Sequence, residues 1–267
     1  MDTGVKFYQV DAFADKVFTG NPACVVPLDA WLPDDVLLRM AKEHNQSETA
    51  YFVPVDDGVH DFELRWFTPA DEVDLCGHAT LASSFVIFTQ LGFQKDVICF
   101  KTRFAGDLFV RRDGMWFELD FPARPPVAAT PDAALMEAMR FTVAPIDIVR
   151  TERDWYFVFE TAEQVRQVAP DFMVLAKRQD WQCVTSRGDD CDFVSRFFTA
   201  DAGIVEDPVT GSTHCALIPY WAGKLGQTRM SAKQLSARGG QLRVALEGAR
   251  VKIAGQAQLY SKGEIFL

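Results

Sequence analysis

The chain has 267 residues, 48% of them hydrophobic and 24% charged, an ordinary globular balance that suits one large domain or two of roughly 100–150 residues. Its formal net charge is −10, from 27 basic and 37 acidic residues, and no Lys/Arg cluster offsets it, which argues against a nucleic-acid partner. No run approaches the ~20 apolar residues of a membrane span, and Met1 to Lys6 lack the layout of a signal peptide. The six cysteines are scattered, with neither a C-x-x-C pair nor zinc-site spacing, so a reduced, cytoplasmic protein without a membrane partner is expected. An anionic small molecule would be repelled at long range and would need local attraction, such as backbone N–H groups at a helix start.

In chain order, Val5 to Val10 alternates as a strand and feeds the turn Thr19-Gly20-Asn21-Pro22; Ala23 to Pro27 reads as a second strand. Leu32-Pro33-Asp34-Asp35 opens a helix, with Val36, Leu37, Met40 and Ala41 at helical spacing. Strands follow over Thr49 to Val55 and Phe62 to Phe67. Gly77-His78-Ala79-Thr80 then opens an almost uncharged run, Leu81 to Leu91, that reads as a helix buried on most sides and stopped by Gly92. Strands resume at Val97 to Phe100, Leu108 to Arg111 and Met115 to Leu119. Phe121 to Pro126, with three prolines, is the most linker-like stretch.

The second half repeats this plan. Arg65-Trp66-Phe67-Thr68 is echoed by Arg196-Phe197-Phe198-Thr199, 131 residues on. Gly77, Ala82, Leu91 and Gly92 are echoed by Gly211, Ala216, Leu225 and Gly226, 134 residues on, and Pro33-Asp34 is matched weakly by Pro170-Asp171. The shared order of these matches points to an internal duplication.

Among residues able to carry chemistry, Glu48 sits between a polar stretch and the strand beginning at Thr49. A carboxylate there can lose solvation and gain a pKa nearer neutrality, which suits an acid/base; an ordinary surface glutamate fits the same pattern. Gly77-His78 and Gly211-Ser212-Thr213 open apolar helices whose first N–H groups could cradle a carboxylate, although Gly, Ser and Thr also open helices that hold nothing. His78 reads as a substrate or proton-relay residue, or as a capping histidine. Asp207 precedes Pro208 as a turn residue would, and Asn21 and Gln46 are substrate partners or loop residues. No phosphate-binding, dinucleotide, zinc-protease or nucleophile-elbow motif occurs, and His44, His60, His78 and His214 lack metal-ligand spacing. Catalysis by side chains alone, with no cofactor and no metal, is therefore expected.

Three blocks carry a resemblance. Val10-Asp11-Ala12-Phe13 with Gly20-Asn21-Pro22 and Gln46-Ser47-Glu48-Thr49-Ala50 is the first; Thr68-Pro69 through Glu72-Val73 to Leu75-Cys76-Gly77-His78-Ala79-Thr80 is the second; Glu206-Asp207-Pro208-Val209-Thr210-Gly211-Ser212 is the third. In this order they resemble the phenazine-biosynthesis PhzF-like isomerase family. The resemblance implies an α+β, diaminopimelate epimerase-like fold: two pseudo-symmetric halves, each a curved, mainly antiparallel sheet wrapped around a central helix. The halves would be 1–122 and 123–267, the last strand being allowed to return to the first half, with the active site between them. Glu48 would be the acid/base, with His78, Asp207 and Ser212 completing the catalytic set and Asp207 lying opposite Glu48. Asn21, Gln46, Gly77, Gly211 and Thr213 would bind a small anionic metabolite, with trans-2,3-dihydro-3-hydroxyanthranilate as a candidate, and a homodimer is implied. Racemases of this fold use two cysteines; Cys76 stands at the first position, while the second falls at or near Asp207 and carries no thiol. A two-thiol racemase is therefore not expected. An epimerase pairing Cys76 with a carboxylate, and a non-catalytic acid-binding protein, are the alternatives.

Overall fold

The computed structural model describes residues 4–199 and 205–267. Met1–Thr3, the head of the segment considered above for a signal peptide, and residues 200–204 lie outside the described residues. The chain divides into two compact units, Met1–Asp120 with Ala254–Leu267, and Phe121–Ile253. The chain thus crosses from the first unit to the second at 120/121, two residues before the expected 122/123, and the C-terminal segment belongs to the first unit.

The elements in order are β1 (Val5–Ala12), β2 (Asn21–Pro27), α1 (Asp34–His44), β3 (Thr49–Pro54), β4 (Phe62–Phe67), β5 (Glu72–Val73), α2 (Gly77–Thr89), β6 (Val97–Thr102), β7 (Asp107–Asp113) and β8 (Trp116–Pro122). They continue as β9 (Val127–Ala128), α3 (Ala133–Met139), β10 (Asp147–Arg150), β11 (Asp154–Val158), α4 (Ala162–Gln167), α5 (Phe172–Leu175) and β12 (Trp181–Arg187). The chain ends with β13 (Phe193–Phe198), α6 (Gly211–Leu225), β14 (Arg229–Gln234), β15 (Gly240–Glu247), β16 (Arg250–Gly255) and β17 (Ala257–Ile265).

The strand pairing repeats from one unit to the other. In the first, β1 pairs β2 antiparallel, β2 pairs β3 parallel, β3 pairs β4 antiparallel, β4 pairs β6 parallel and β6 pairs β7 antiparallel. In the second, β10–β11, β12–β13 and β14–β15 are antiparallel while β11–β12 and β13–β14 are parallel. The parallel pairs were not foreseen as such. They occur where a helix intervenes, because strands that run the same way need a crossover connection: α1 and α2 serve the first unit, α4 and α6 the second. The C-terminal β17 closes on β1 antiparallel along its whole length.

α2 is the apolar run read from the sequence. Every residue from His78 to Phe88 is buried, and the helix touches β1, β2, β3, β7 and β17, so the sheet of this unit curves around it. Its hydroxyls need partners in that setting and find them one turn back: Thr80 donates to Cys76 O, Ser83 to Ala79 O and Ser84 to Thr80 O. α6 contains Pro219, which has no N–H for the Cys215 carbonyl one turn earlier. That carbonyl instead accepts a 2.8 Å hydrogen bond from the Arg124 N–H. α6 ends at Gly226 (φ 69°), whereas α2 ends at Gln90, two residues short of the matching Gly92. Among the described residues no helix is long and apolar enough to cross a membrane.

A second feature repeats. Arg65 on β4 clamps Glu72 with two 2.7 Å bonds, and Arg196 on β13 clamps Glu206 with bonds of 2.8 and 2.9 Å. Each guanidinium also lies about 5 Å over the phenylalanine two residues on, Phe67 or Phe198. Each clamp pins the segment leading into a long helix, five residues before its start.

Candidate active site

In the first unit the site is assembled from three segments. The turn before β2 places Asn21, and its geometry depends on Gly20: φ is +66°, and a Cβ there would lie 2.1 Å from the Ala12 carbonyl oxygen. The loop is held further by Asp11, whose carboxylate accepts the Phe18 N–H at 2.8 Å, so this signature aspartate shapes the loop. α1 has Asp34 and Asp35 in its first turn, Lys42 and His44 in its last, and ends at Asn45 in the left-handed conformation. Pro33 is its N-cap, one residue ahead of the first turn where it was expected. The chain then passes through Gln46 and Ser47 to Glu48, and His44 reaches back to the Thr49 hydroxyl at 3.0 Å. α2 supplies Cys76 as N-cap, then Gly77 and His78.

These segments converge on the His78 ring. Its Nε2 lies 3.3 Å from Glu48 Oε2; its Nδ1 lies 3.3 Å from Asn21 Nδ2 and 3.4 Å from Cys76 Sγ. Asn21 Nδ2 can only donate, so Nδ1 is the acceptor and the proton of the neutral ring sits on Nε2, on the side of the ring nearer Glu48. Burial pushes the imidazole pKa below its ordinary value, which keeps the ring neutral. His78 thus stands beside Glu48 as a neutral ring, its Nε2 within 3.3 Å of the carboxylate but outside hydrogen-bond geometry. Glu48 keeps 20% of its side chain exposed and can be reached by a substrate. Glu48, Cys76 and His78 each offer a donor atom within 4.8 Å of the others, and among the described residues they form the one group able to hold a metal ion. Sequence spacing gave no sign of it, because Glu48 comes from a separate segment. Gln46 is half-buried and makes no hydrogen bond to the described residues.

In the second unit, Asp207 follows the clamped Glu206, and its N–H bonds the Phe197 carbonyl at 3.0 Å. Its carboxylate accepts the Thr210 hydroxyl at 2.5 Å. Gln234 on β14 braces the turn by accepting the Thr210 N–H at 2.9 Å and donating to Asp207 O at 2.7 Å. Thr210 is the N-cap of α6; Gly211, Ser212 and Thr213 follow, Ser212 half-buried and Thr213 buried with its hydroxyl on Tyr156 at 3.3 Å. Neither long helix has its first N–H groups capped by the N-cap side chain, so both starts keep donors available to an anion.

The duplication corrects one expectation. Cys76 is the N-cap of α2, and the equivalent N-cap of α6 is Thr210, not Asp207. The equivalence extends inward, where Thr80 Oγ1 and His214 Nδ1 each bond the N-cap carbonyl one turn back, at 2.6 and 2.7 Å. His78 and Ser212 occupy the same helical position. The residue matching the thiol is thus a hydroxyl tied to a carboxylate.

Three contributors escaped the sequence reading: Thr210, Gln234 and Arg153. Arg153, just before β11, donates from Nη2 to Ser212 Oγ at 3.4 Å. The bracing pair Gln234–Asp207 spans 27 residues and Arg153–Ser212 spans 59, so no local motif announces either.

The family profile described as phenazine biosynthesis-like protein (PhzC-PhzF) matches residues 10–263. An uncharacterized isomerase of Pseudomonas aeruginosa is 48% identical over 265 residues, covering 97% of this chain and 98% of the relative. The crystal structure of a PhzF-family phenazine biosynthesis protein from Enterococcus faecalis superposes with a TM-score of 0.92 at 41% identity, covering 99% of this chain and all of that one. A hydroxyproline epimerase from Agrobacterium vitis shares the fold at a TM-score of 0.62 and 11% identity, covering 98% of this chain and 92% of that one. With its α+β units and its signature residues in place, the chain belongs to the phenazine biosynthesis-like, PhzF-type family of isomerases.

Proposed function

We infer that this chain is a cofactor-independent isomerase that shifts a proton within a small carboxylate-bearing metabolite, with Glu48 as acid and base. The observation that carries the reading is the juxtaposition of Glu48 with a buried, neutral imidazole, His78 Nε2 lying 3.3 Å from the Glu48 carboxylate. Glu48 takes a C–H proton from a carbon made acidic by adjoining unsaturation, and the electron pair moves into a new double bond. The same carboxyl returns the proton at another carbon as the original double bond shifts, so no proton or electron is gained or lost. His78 holds the carboxylate in place while its proton is away. Asp207, aligned by Thr210, and Ser212 take polar groups of the substrate, and the first-turn N–H groups at Gly77, Gly211 and Thr213 are donors to its other acceptor atoms. Family membership supports trans-2,3-dihydro-3-hydroxyanthranilate or a related acid as substrate.

A second reading rests on Cys76, whose Sγ lies 3.4 Å from His78 Nδ1 and could serve as the base of an epimerase. The test is mass spectrometry of a metabolite extract incubated with the protein in deuterated water. A compound that gains deuterium with wild type but not with Glu48→Gln supports the reading; equal gain with both rejects it.

A further inference from the structure

We propose that Arg153 is the residue that receives the substrate's carboxylate, presenting its Nη1–H beside the Ser212 hydroxyl. The inference rests on the isomerase reading above and deepens it by naming the group that fixes the substrate's orientation. Arg153 lies over the Trp181 ring, its guanidinium carbon 4.0 Å from the centroid, which holds the head group in place. Asp154, a buried carboxylate, accepts Nε at 2.7 Å and Nη2 at 3.3 Å, and Tyr156 also donates to it at 3.3 Å. Neutralising Asp154 explains one edge of the guanidinium. It does not explain the other, since Nη1 makes no hydrogen bond to any described residue while the side chain remains 41% exposed.

The remaining Nη2–H goes to Ser212 Oγ at 3.4 Å. That bond occupies a lone pair of the hydroxyl and leaves its own proton to be donated outward, since Ser212 donates to no described residue. Nη1–H and the Ser212 O–H offer two adjoining donors, with one serine lone pair left. Their fitting partner is an anion that can accept from both at once, and the two oxygens of a carboxylate suit Nη1–H and the Ser212 O–H. This placement answers the charge problem posed by the sequence: on a chain of net charge −10 the attraction is local, from one oriented cation beside a proposed site residue.

The probe is anthranilate, compared with its neutral isostere anthranilamide by ligand-observed NMR titration. The wild-type protein is expected to prefer the acid by tenfold or more. Arg153→Lys keeps the charge but loses the fork, and should cut that preference several-fold. Arg153→Gln combined with Asp154→Asn leaves no buried lone charge and should abolish it, with a thermal melt confirming that the variant is folded. The titration reads binding and not proton transfer, so a failed deuterium test of Glu48 would leave this result standing. Equal affinity of wild type for acid and amide, binding of neither, or an undiminished preference in Arg153→Lys would overturn the proposal.

Discussion

Glu72→Gln is the perturbation whose cost can be worked most fully from the structure. Arg65 is 6% exposed and Glu72 17%, and their two bonds are 2.7 Å each. Glu72 also accepts Arg103 at 2.9 Å, so its loss leaves two guanidinium groups facing Asp34, which is 63% exposed. Breaking one side of a buried pair costs about 3–5 kcal/mol; a glutamine oxygen that still accepts one bond places this case near 3. For a protein of this size that is a fall in melting temperature of roughly 6–12 °C. Glu206→Gln should cost less, because Arg196 keeps the carbonyls of Val165, Arg166 and Val168 at 3.3, 3.0 and 2.7 Å and leaves no second arginine stranded. Thermal melts of the two variants check both the size and the order. A Glu72→Gln melting point within 2 °C of wild type, or a larger fall for Glu206→Gln, would refute the view of Glu72 as the buried counter-charge of a two-arginine cluster.

Two further outcomes follow from the site. Burial depresses the His214 imidazole from 6.5 to about 4, so the folded ring stays neutral where the unfolded one is already charged, and stability is lost as pH falls from 6.5 toward 4. The slope is about 1.4 kcal/mol per pH unit, so wild type should lose roughly 2 kcal/mol more than His214→Gln between pH 7 and 5 in urea melts; parallel losses would remove His214 as the cause. Thr210→Val deletes the 2.5 Å bond to the Asp207 carboxylate. Such bonds are worth about 1.5–3 kcal/mol, and a misaligned Asp207 should slow deuterium incorporation about tenfold. An unchanged rate would show that the hydroxyl does not align Asp207 for the reaction.

What could be read from the sequence divides along a physical line. Local patterns were legible: the uncharged run after Gly77 had to be a buried helix, and the repeated Arg-aromatic-Phe-Thr with its trailing Gly marked the duplication. The acids that complete the two clamps were within reach too, since Glu72 and Glu206 each follow their arginine by seven to ten residues. Strand pairing was not legible, because periodicity says which residues face inward and nothing about which strand lies alongside. The return of β17 to β1, a contact across the whole chain length, was allowed for only through the family resemblance, and Arg153, Gln234 and Thr210 act through partners set by the fold. The displaced second thiol position has the same origin: the sequence motif points to Asp207, whereas the helix N-caps are the equivalent points.

The most direct measurement compares deuterium incorporation by Glu48→Gln and Cys76→Ala in the same extract, each relative to wild type. Loss of a positioned acid/base slows such a reaction about 10²–10⁴-fold, so Glu48→Gln should fall by at least a hundredfold while Cys76→Ala stays within a few-fold. The reverse pattern, with the thiol variant dead and the glutamine variant active, would contradict the account and assign the proton transfer to Cys76.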